Sequence, residues 1–278
     1  MLNFNNTEEV RKQYGTPGNL NSRAQLHQLY STNKTGWSKW VFDNYRLGQN
    51  QCVLELGCGT GGVWAENADK IPSGTKLTLS DFSPGMLEAA KKNTNGLSFV
   101  EYQIIDAQDI PFDADSFDIV IANHMLYHVP DIERALNEIA RVLKADGIFY
   151  ATTIGNNNMR ELTSLLHNYN SAIDFAQGSV TSSFGLESGK EILEHHFGSV
   201  EVRKYEDSLH ITEPQPLIDY VLSSTGIGNV CDVIHGEKVK QFENYVFEIF
   251  WKEGCVDIEK DVGIFVSANP KGRNIAGL

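Results

Sequence analysis

Five apolar runs separated by helical patterns fill residues 51–154, and this alternation constrains the fold more than any other feature of the chain. "QCVLEL", "KLTLSD", "LSFVEYQIID", "FDIVIANH" and "GIFYATTI" read as strands, and "GGVWAENADKI", "PGMLEAAKKN" and "IERALNEIARVL" carry helical spacing. Strands covered on both faces lose the in–out alternation of a half-exposed sheet and become nearly continuous apolar runs. Strand, helix, strand repeated in this way predicts a parallel sheet with helices on both sides. Ser83 before Pro84 and Asp131 before Ile132 stand where helix caps belong.

The flanks have a different character. Residues 1–50 hold aromatic-rich helical patterns with Tyr30, Trp37, Trp40, Phe42 and Tyr45, and read as an N-terminal helical cover over a core at 51–154. In residues 155–278, "NNNMRELTSLLHNYNSAI", "ESGKEILEHHF" and "VKQFENYVFEIFWKE" look helical, "SVEVRKYEDSLHI" reads as a strand and "VGIFVSANP" as the last one. This part is expected to complete the sheet and to insert a helical cap.

A chain of 278 residues that is 41% hydrophobic has material for a real core. Its formal charge of -13 opposes broad contact with phosphate backbones, so nucleic acid is not expected as a partner. Cys52, Cys58, Cys231 and Cys255 form no CxxC pair, so neither a metal site nor a disulfide framework is expected. The N-terminus lacks an apolar stretch of signal-peptide length, and no run approaches the roughly 18 apolar residues of a membrane span. The expectation is a soluble cytoplasmic protein.

The break after the first strand, "VLELGCGTGG", narrows the chemistry. Gly57, Gly59 and Gly62 satisfy the dinucleotide fingerprint, in which glycines make a tight turn and let a ligand approach the backbone. Glu55, however, is a poor neighbour for a pyrophosphate and a good one for a cation. In open α/β sheets ligands sit at the carboxyl ends of the strands, where Glu55, Asp81, Asp106 and Asn123 with His124 fall in this reading. Asp81 lies where a carboxylate meets ribose hydroxyls. S-adenosylmethionine keeps the adenosine, carries an ammonium and a sulfonium, and has no phosphate; an acidic loop fits it.

At this point the sequence resembles the class I S-adenosylmethionine-dependent methyltransferases, in the small-molecule branch similar to ubiquinone and menaquinone methyltransferases. The resemblance covers roughly residues 51–154 and rests on "VLELGCGTGG", "LTLSDFSPGMLEAA", "IIDAQDIPFDADSFDIVIANHMLYHVPD" and "EIARVLKADGIFYATT" in order. It implies a doubly wound, Rossmann-like sheet of seven mostly parallel strands with the last one antiparallel. It also implies cofactor contacts: Glu55, Gly57, Gly59 and Gly61 at the amino acid end, Asp81 at the ribose, Phe82 beside the adenine, Asp106 and Ala107 recognising the adenine, Asn123 with His124 near the sulfonium, and Cys58 and Met86 among the cofactor-binding residues. A small-molecule acceptor would take the methyl group directly.

Each residue has a plainer reading. Asp81 could cap the helix that starts at Pro84, and Asp106 could be one solvated acid among Asp109, Asp113 and Asp115. His124, Tyr127 and His128 are the candidate catalytic cluster, although an activated methyl donor asks mainly for alignment and exclusion of water. The acceptor pocket is expected outside the cofactor block, with Arg23, His27, Tyr30 and Trp37 of the cover as candidates; the same aromatic face could simply pack on the sheet. Two further functions remain open: a catalytically silent S-adenosylmethionine-binding protein of the same fold, and a nicotinamide-dependent oxidoreductase. Against the latter, no Tyr-x-x-x-Lys pair occurs in the cover and no Arg lies near Asp81.

Overall fold

A computed structural model describes residues 25–175, 177–224 and 228–271. The strands are β1 (Cys52–Leu56), β2 (Lys76–Asp81), β3 (Val100–Ile104), β4 (Phe117–Asn123), β5 (Leu143–Ile154), β6 (Phe197–Lys204), β7 (Asp207–Ile211), β8 (Val256–Lys260) and β9 (Val262–Pro270). Seven of them form one sheet in the order β3-β2-β1-β4-β5-β9-β6. All neighbours from β3 to β5 are parallel, and β9 runs antiparallel to both β5 and β6. This is the seven-stranded, mostly parallel sheet with an antiparallel last strand that the alternation and the resemblance imply.

The central strands are apolar on both faces because helices cover both. On one side α4 (Ile132–Val142) packs Leu136 and Ile139 into a core with Leu54, Val120 and Phe149. On the other, α1 (Trp37–Asn44), α2 (Gly62–Glu66) and α3 (Pro84–Asn93) enclose Val53, Leu77, Ile119 and Tyr150. Both expected caps form: Ser83 Oγ accepts from Met86 N at 3.4 Å, and Asp131 Oδ1 accepts from Arg134 N at 3.0 Å. The helical pattern after Gly61 is shorter than expected, since α2 stops at Glu66 and a 3-10 turn spans Ala68–Lys70.

Two further expectations need correction. "SVEVRKYEDSLHI" is not one strand: it breaks at Tyr205 and Glu206, so that β6 edges the main sheet while β7 pairs with β8 in a separate two-stranded sheet. Tyr205 is the pivot, 1% exposed, with its N–H on Val262 O at 2.9 Å. The cap has its own core, built from α5 (Arg160–Tyr169), α8 (Pro214–Leu222), α10 (Glu237–Glu253), β7 and β8. The intervening helices are α6 (Gln177–Phe184), α7 (Gly189–His196) and α9 (Val230–Val233). The N-terminal cover is also divided: Leu26 packs into the cap core, Val41, Phe42 and Tyr45 into the main one. Among the described residues no helix is long and apolar enough to cross a membrane.

Candidate functional site

The strand order reverses direction between β1 and β4, and the loops leaving the carboxyl ends of β1, β2 and β4 meet there. The loop after β1 needs glycine for two different reasons. Gly57 has φ +67°, and a Cβ there would lie 2.8 Å from Met125 Cβ. Gly59 has φ +54°, and a Cβ there would meet nothing within 4 Å, so only the backbone conformation demands glycine and space lies beside it.

Asp81, the last residue of β2, ties this loop to the next. One carboxylate oxygen accepts from Gly59 N at 2.9 Å and the other from Ser83 N at 2.8 Å. The helix cap is therefore Ser83, and Asp81 bridges two loops. Burial raises its pKa, against the opposing pull of the Ser83 and Gly59 amides. A carboxylate offers about four lone-pair sites. The amides of Gly59 and Ser83, with that of Phe82 beside them, draw on these sites, and the remainder can accept from a ligand hydroxyl.

Glu55 is 2% exposed and held at both oxygens: it accepts from Trp64 Nε1 at 2.6 Å and from Asn123 Nδ2 at 2.7 Å. Asn123 also donates to Tyr45 Oη at 2.7 Å. Burial pushes Glu55 up to about 7, with Asp81 adding and the two hydrogen bonds opposing. A carboxyl poised in this way is stabilised as an anion by any cation that arrives beside it. Cys58 and Met86 are buried, Cys58 with its N–H on Ser80 O at 2.8 Å and its thiol raised by burial; Phe82 is partly buried in the turn that follows Asp81.

Asp106 departs from expectation. β3 ends at Ile104, so Asp106 does not close a strand; it is exposed in a tight turn bridged to Asp109, where Gln108 N donates to it at 2.9 Å. The apolar run misled because Ile105 is buried although it lies beyond the sheet. Ala107, next to it, is buried.

His124, Tyr127 and His128 do gather in the turn after β4. The Tyr127 ring lies 4.6 Å from His128 and 6.5 Å from His124. His124 has φ +49°, and its N–H reaches back to Thr152 O at 3.2 Å. Burial, then the charge of Lys260, lowers its pKa to about 4, so the ring is a neutral imidazole at physiological pH. The Trp37 ring of the cover lies tilted beside it, centroids 5.1 Å apart. His27 and Tyr30 lie in the helical turn 25–30 beside the cap, and Arg23 lies outside the described residues.

Sequence reading missed Trp64 and Tyr45 as partners of the Glu55–Asn123 pair, and Tyr205, Asp207 and Lys260 altogether. Trp64 could have been found, as an indole N–H nine residues from a buried acid. The others are brought together only by the fold. Elsewhere, His210 of β7, Asp257 of β8 and Cys255 just before β8 place three potential ligand atoms within 4.8 Å of one another. All four cysteines are free.

Residues 54–151 match a family model described as a methyltransferase domain. A demethylmenaquinone methyltransferase of Lactobacillus johnsonii is 36% identical over 128 residues, which cover 44% of this chain and 52% of that protein. The chain thus spans about half the length of the curated relatives it matches. Among solved structures, phosphoethanolamine N-methyltransferase 2 of Haemonchus contortus, in complex with S-adenosyl-L-methionine, superposes with a TM-score of 0.58 at 16% identity, covering 98% of this chain and 61% of that one. The YcgJ protein of Bacillus subtilis superposes with a TM-score of 0.56 at 17% identity, covering 84% and 98%. These likenesses establish the fold.

Proposed function

We propose that this chain, which carries a methyltransferase domain at residues 54–151, transfers a methyl group from S-adenosylmethionine directly to a small-molecule acceptor. The observation that carries this reading is the pairing of Asp81 with Gly59 N and Ser83 N beside an acidic, glycine-built loop. The residues present fit the cofactor. Asp81 keeps acceptor capacity for a ribose hydroxyl, space beside Gly59 admits a ligand next to backbone, and Glu55 favours an ammonium rather than a pyrophosphate. Phe82, Met86, Asp106 and Ala107 would surround the base, and Gly57, Cys58 and Gly61 the amino acid end.

When bound, the cofactor supplies a methyl group already activated for transfer. What the chain adds is alignment and exclusion of water. Asn123, fixed by Glu55 and Tyr45, holds the end of β4 in place. His124, its pKa lowered by burial and by Lys260, stands at the end of β4 as a neutral imidazole. The quinone-type acceptor in the names of the relatives makes a planar oxygen-bearing molecule a reasonable candidate class.

Calorimetric titration with S-adenosylmethionine, S-adenosylhomocysteine and NAD tests the reading. Binding of the first two without the third is expected; binding of NAD alone contradicts it. Nucleic acid is not the acceptor in this account, and methylation of tRNA or DNA at physiological salt would refute that part.

A further inference from the structure

The cap brings a second polar cluster to the carboxyl edge of β4 and β5. β8 ends at Lys260, and two residues later Val262 pairs with Ile154, the last residue of β5. Tyr205 sits at the same level, its N–H on Val262 O. His124 is tied to Thr152 of β5, and Trp37 bridges the two groups, 5.1 Å from His124 and 5.3 Å from Tyr205. The segment after His27 is pinned to the cap by Ser31, which bridges to Leu209 and donates to Asp207 Oδ1 at 2.7 Å.

Hydrogen-bond accounting separates satisfied from unsatisfied groups. Asp207, whose side chain is 0% exposed, accepts from Lys260 Nζ at 2.6 Å, Ser31 Oγ at 2.7 Å and Asn33 N at 3.0 Å. Its charge is fully matched. Lys260, 7% exposed, spends one of its three donors on Asp207 and lies 5.2 Å from the centre of the Tyr205 ring. The Tyr205 hydroxyl is buried without a partner of good hydrogen-bond geometry; Ser31 Oγ lies close enough to ease its pKa and itself donates to Asp207. His27 Nδ1 is shut off from solvent and has no partner.

Burial and the nearby Lys260 charge hold His27 down to about 3, so it and His124 are both neutral. Ammonium and phenol donors with spare capacity, next to a carboxylate that has none, suit a group that accepts hydrogen bonds and carries negative charge.

We infer that Lys260, Tyr205 and His27, beside His124, form the acceptor subsite and bind an acidic oxygen group of the methyl acceptor, a carboxylate or a phenolate. The inference rests on the methyltransferase reading, since it places the acceptor over the strand ends next to the cofactor. Amine acceptors are disfavoured by Lys260.

The test uses the full chain saturated with S-adenosylhomocysteine and titrated with benzoate, pentafluorophenolate, methyl benzoate and benzylammonium. Benzoate or pentafluorophenolate should bind at least tenfold more tightly than the ester and the cation, and whichever of the two anions is preferred distinguishes carboxylate from phenolate recognition. Lys260→Met should erase the preference. Because that change strands the buried Asp207, Tyr205→Phe is the second variant: it keeps the ring, should leave S-adenosylhomocysteine affinity unchanged, and should weaken the preferred anion at least threefold. Equal binding of all four probes, binding of none, or an unaltered preference in Tyr205→Phe overturns the subsite while S-adenosylhomocysteine binding leaves the methyltransferase reading intact. Failure to bind S-adenosylhomocysteine overturns both.

Discussion

Affinity for S-adenosylhomocysteine should fall as the pH drops below 7, because Glu55 must lose a proton to face the ammonium of the cofactor. In the free protein, burial holds Glu55 up to about 7 against the hydrogen bonds from Trp64 and Asn123, with Asp81 adding to the rise. Below that pH the free protein carries the neutral acid, whereas the bound state prefers the anion. Binding therefore releases a proton and pays RT ln(1 + 10^(pKa−pH)), about 0.4 kcal/mol at pH 7 and about 1.4 kcal/mol at pH 6. Between pH 6 and 7.5 the affinity should change roughly eightfold. Calorimetry in buffers of different ionisation enthalpy measures both the affinity and the proton count, which should approach one at pH 6. Glu55→Gln should flatten the profile, and any slope left over reports Asp81, whose pKa burial also raises. A flat wild-type profile, or an undiminished slope in Glu55→Gln, refutes the assignment.

Three other outcomes follow from the same geometry. Asp81→Asn should weaken S-adenosylhomocysteine binding by about 1.5 to 3 kcal/mol, the range for hydrogen bonds to a charged group, with circular dichroism of the fold unchanged; wild-type affinity would remove Asp81 from the site. Gly57→Ala places a methyl 2.8 Å from Met125 Cβ at φ +67° and should lower the stability by about 1 to 3 kcal/mol in thermal melts; an unshifted melting temperature would show that Met125 yields freely. Hydrogen exchange in residues 25–40 should slow when S-adenosylhomocysteine binds, and Tyr30→Ala should lower turnover more than stability. Equally slow exchange in both states would make this segment a permanent layer, as its ties to Asp207 and Ser208 already make part of it.

The sheet was legible where burial on both faces left an unbroken apolar run between turn residues. "KLTLSD", "PGMLEAAKKN" and "VGIFVSANP" coincide with Lys76–Asp81, Pro84–Asn93 and Val262–Pro270. Legibility failed where the local pattern carried no word about the partner. The apolar positions of "SVEVRKYEDSLHI" change parity at Tyr205, from Val200 and Val202 to Tyr205, Leu209 and Ile211, where the chain changes sheets, but no Gly or Pro marks the break, and "VDIEK" is too short and polar to announce β8. The candidate cofactor residues Glu55, Gly57, Gly59 and Asp81 could be named from the sequence because they lie at or just beyond strand ends at short, fixed offsets. On the side of the proposed acceptor subsite His27 and His124 were named as candidates, but Tyr205 and Lys260 were not, because they are far away in sequence and join the histidines only through the inserted cap.

Transfer of labelled methyl tests the central claim most directly. The purified chain, incubated with methyl-labelled S-adenosylmethionine and a small-molecule extract stripped of protein and nucleic acid, should move label into an organic product and generate an equal amount of S-adenosylhomocysteine. Asp81→Asn should slow both together. Tight binding of S-adenosylmethionine with no label in any small molecule, across extracts that support a known methyltransferase, would instead mark the chain as a binding protein and contradict the account.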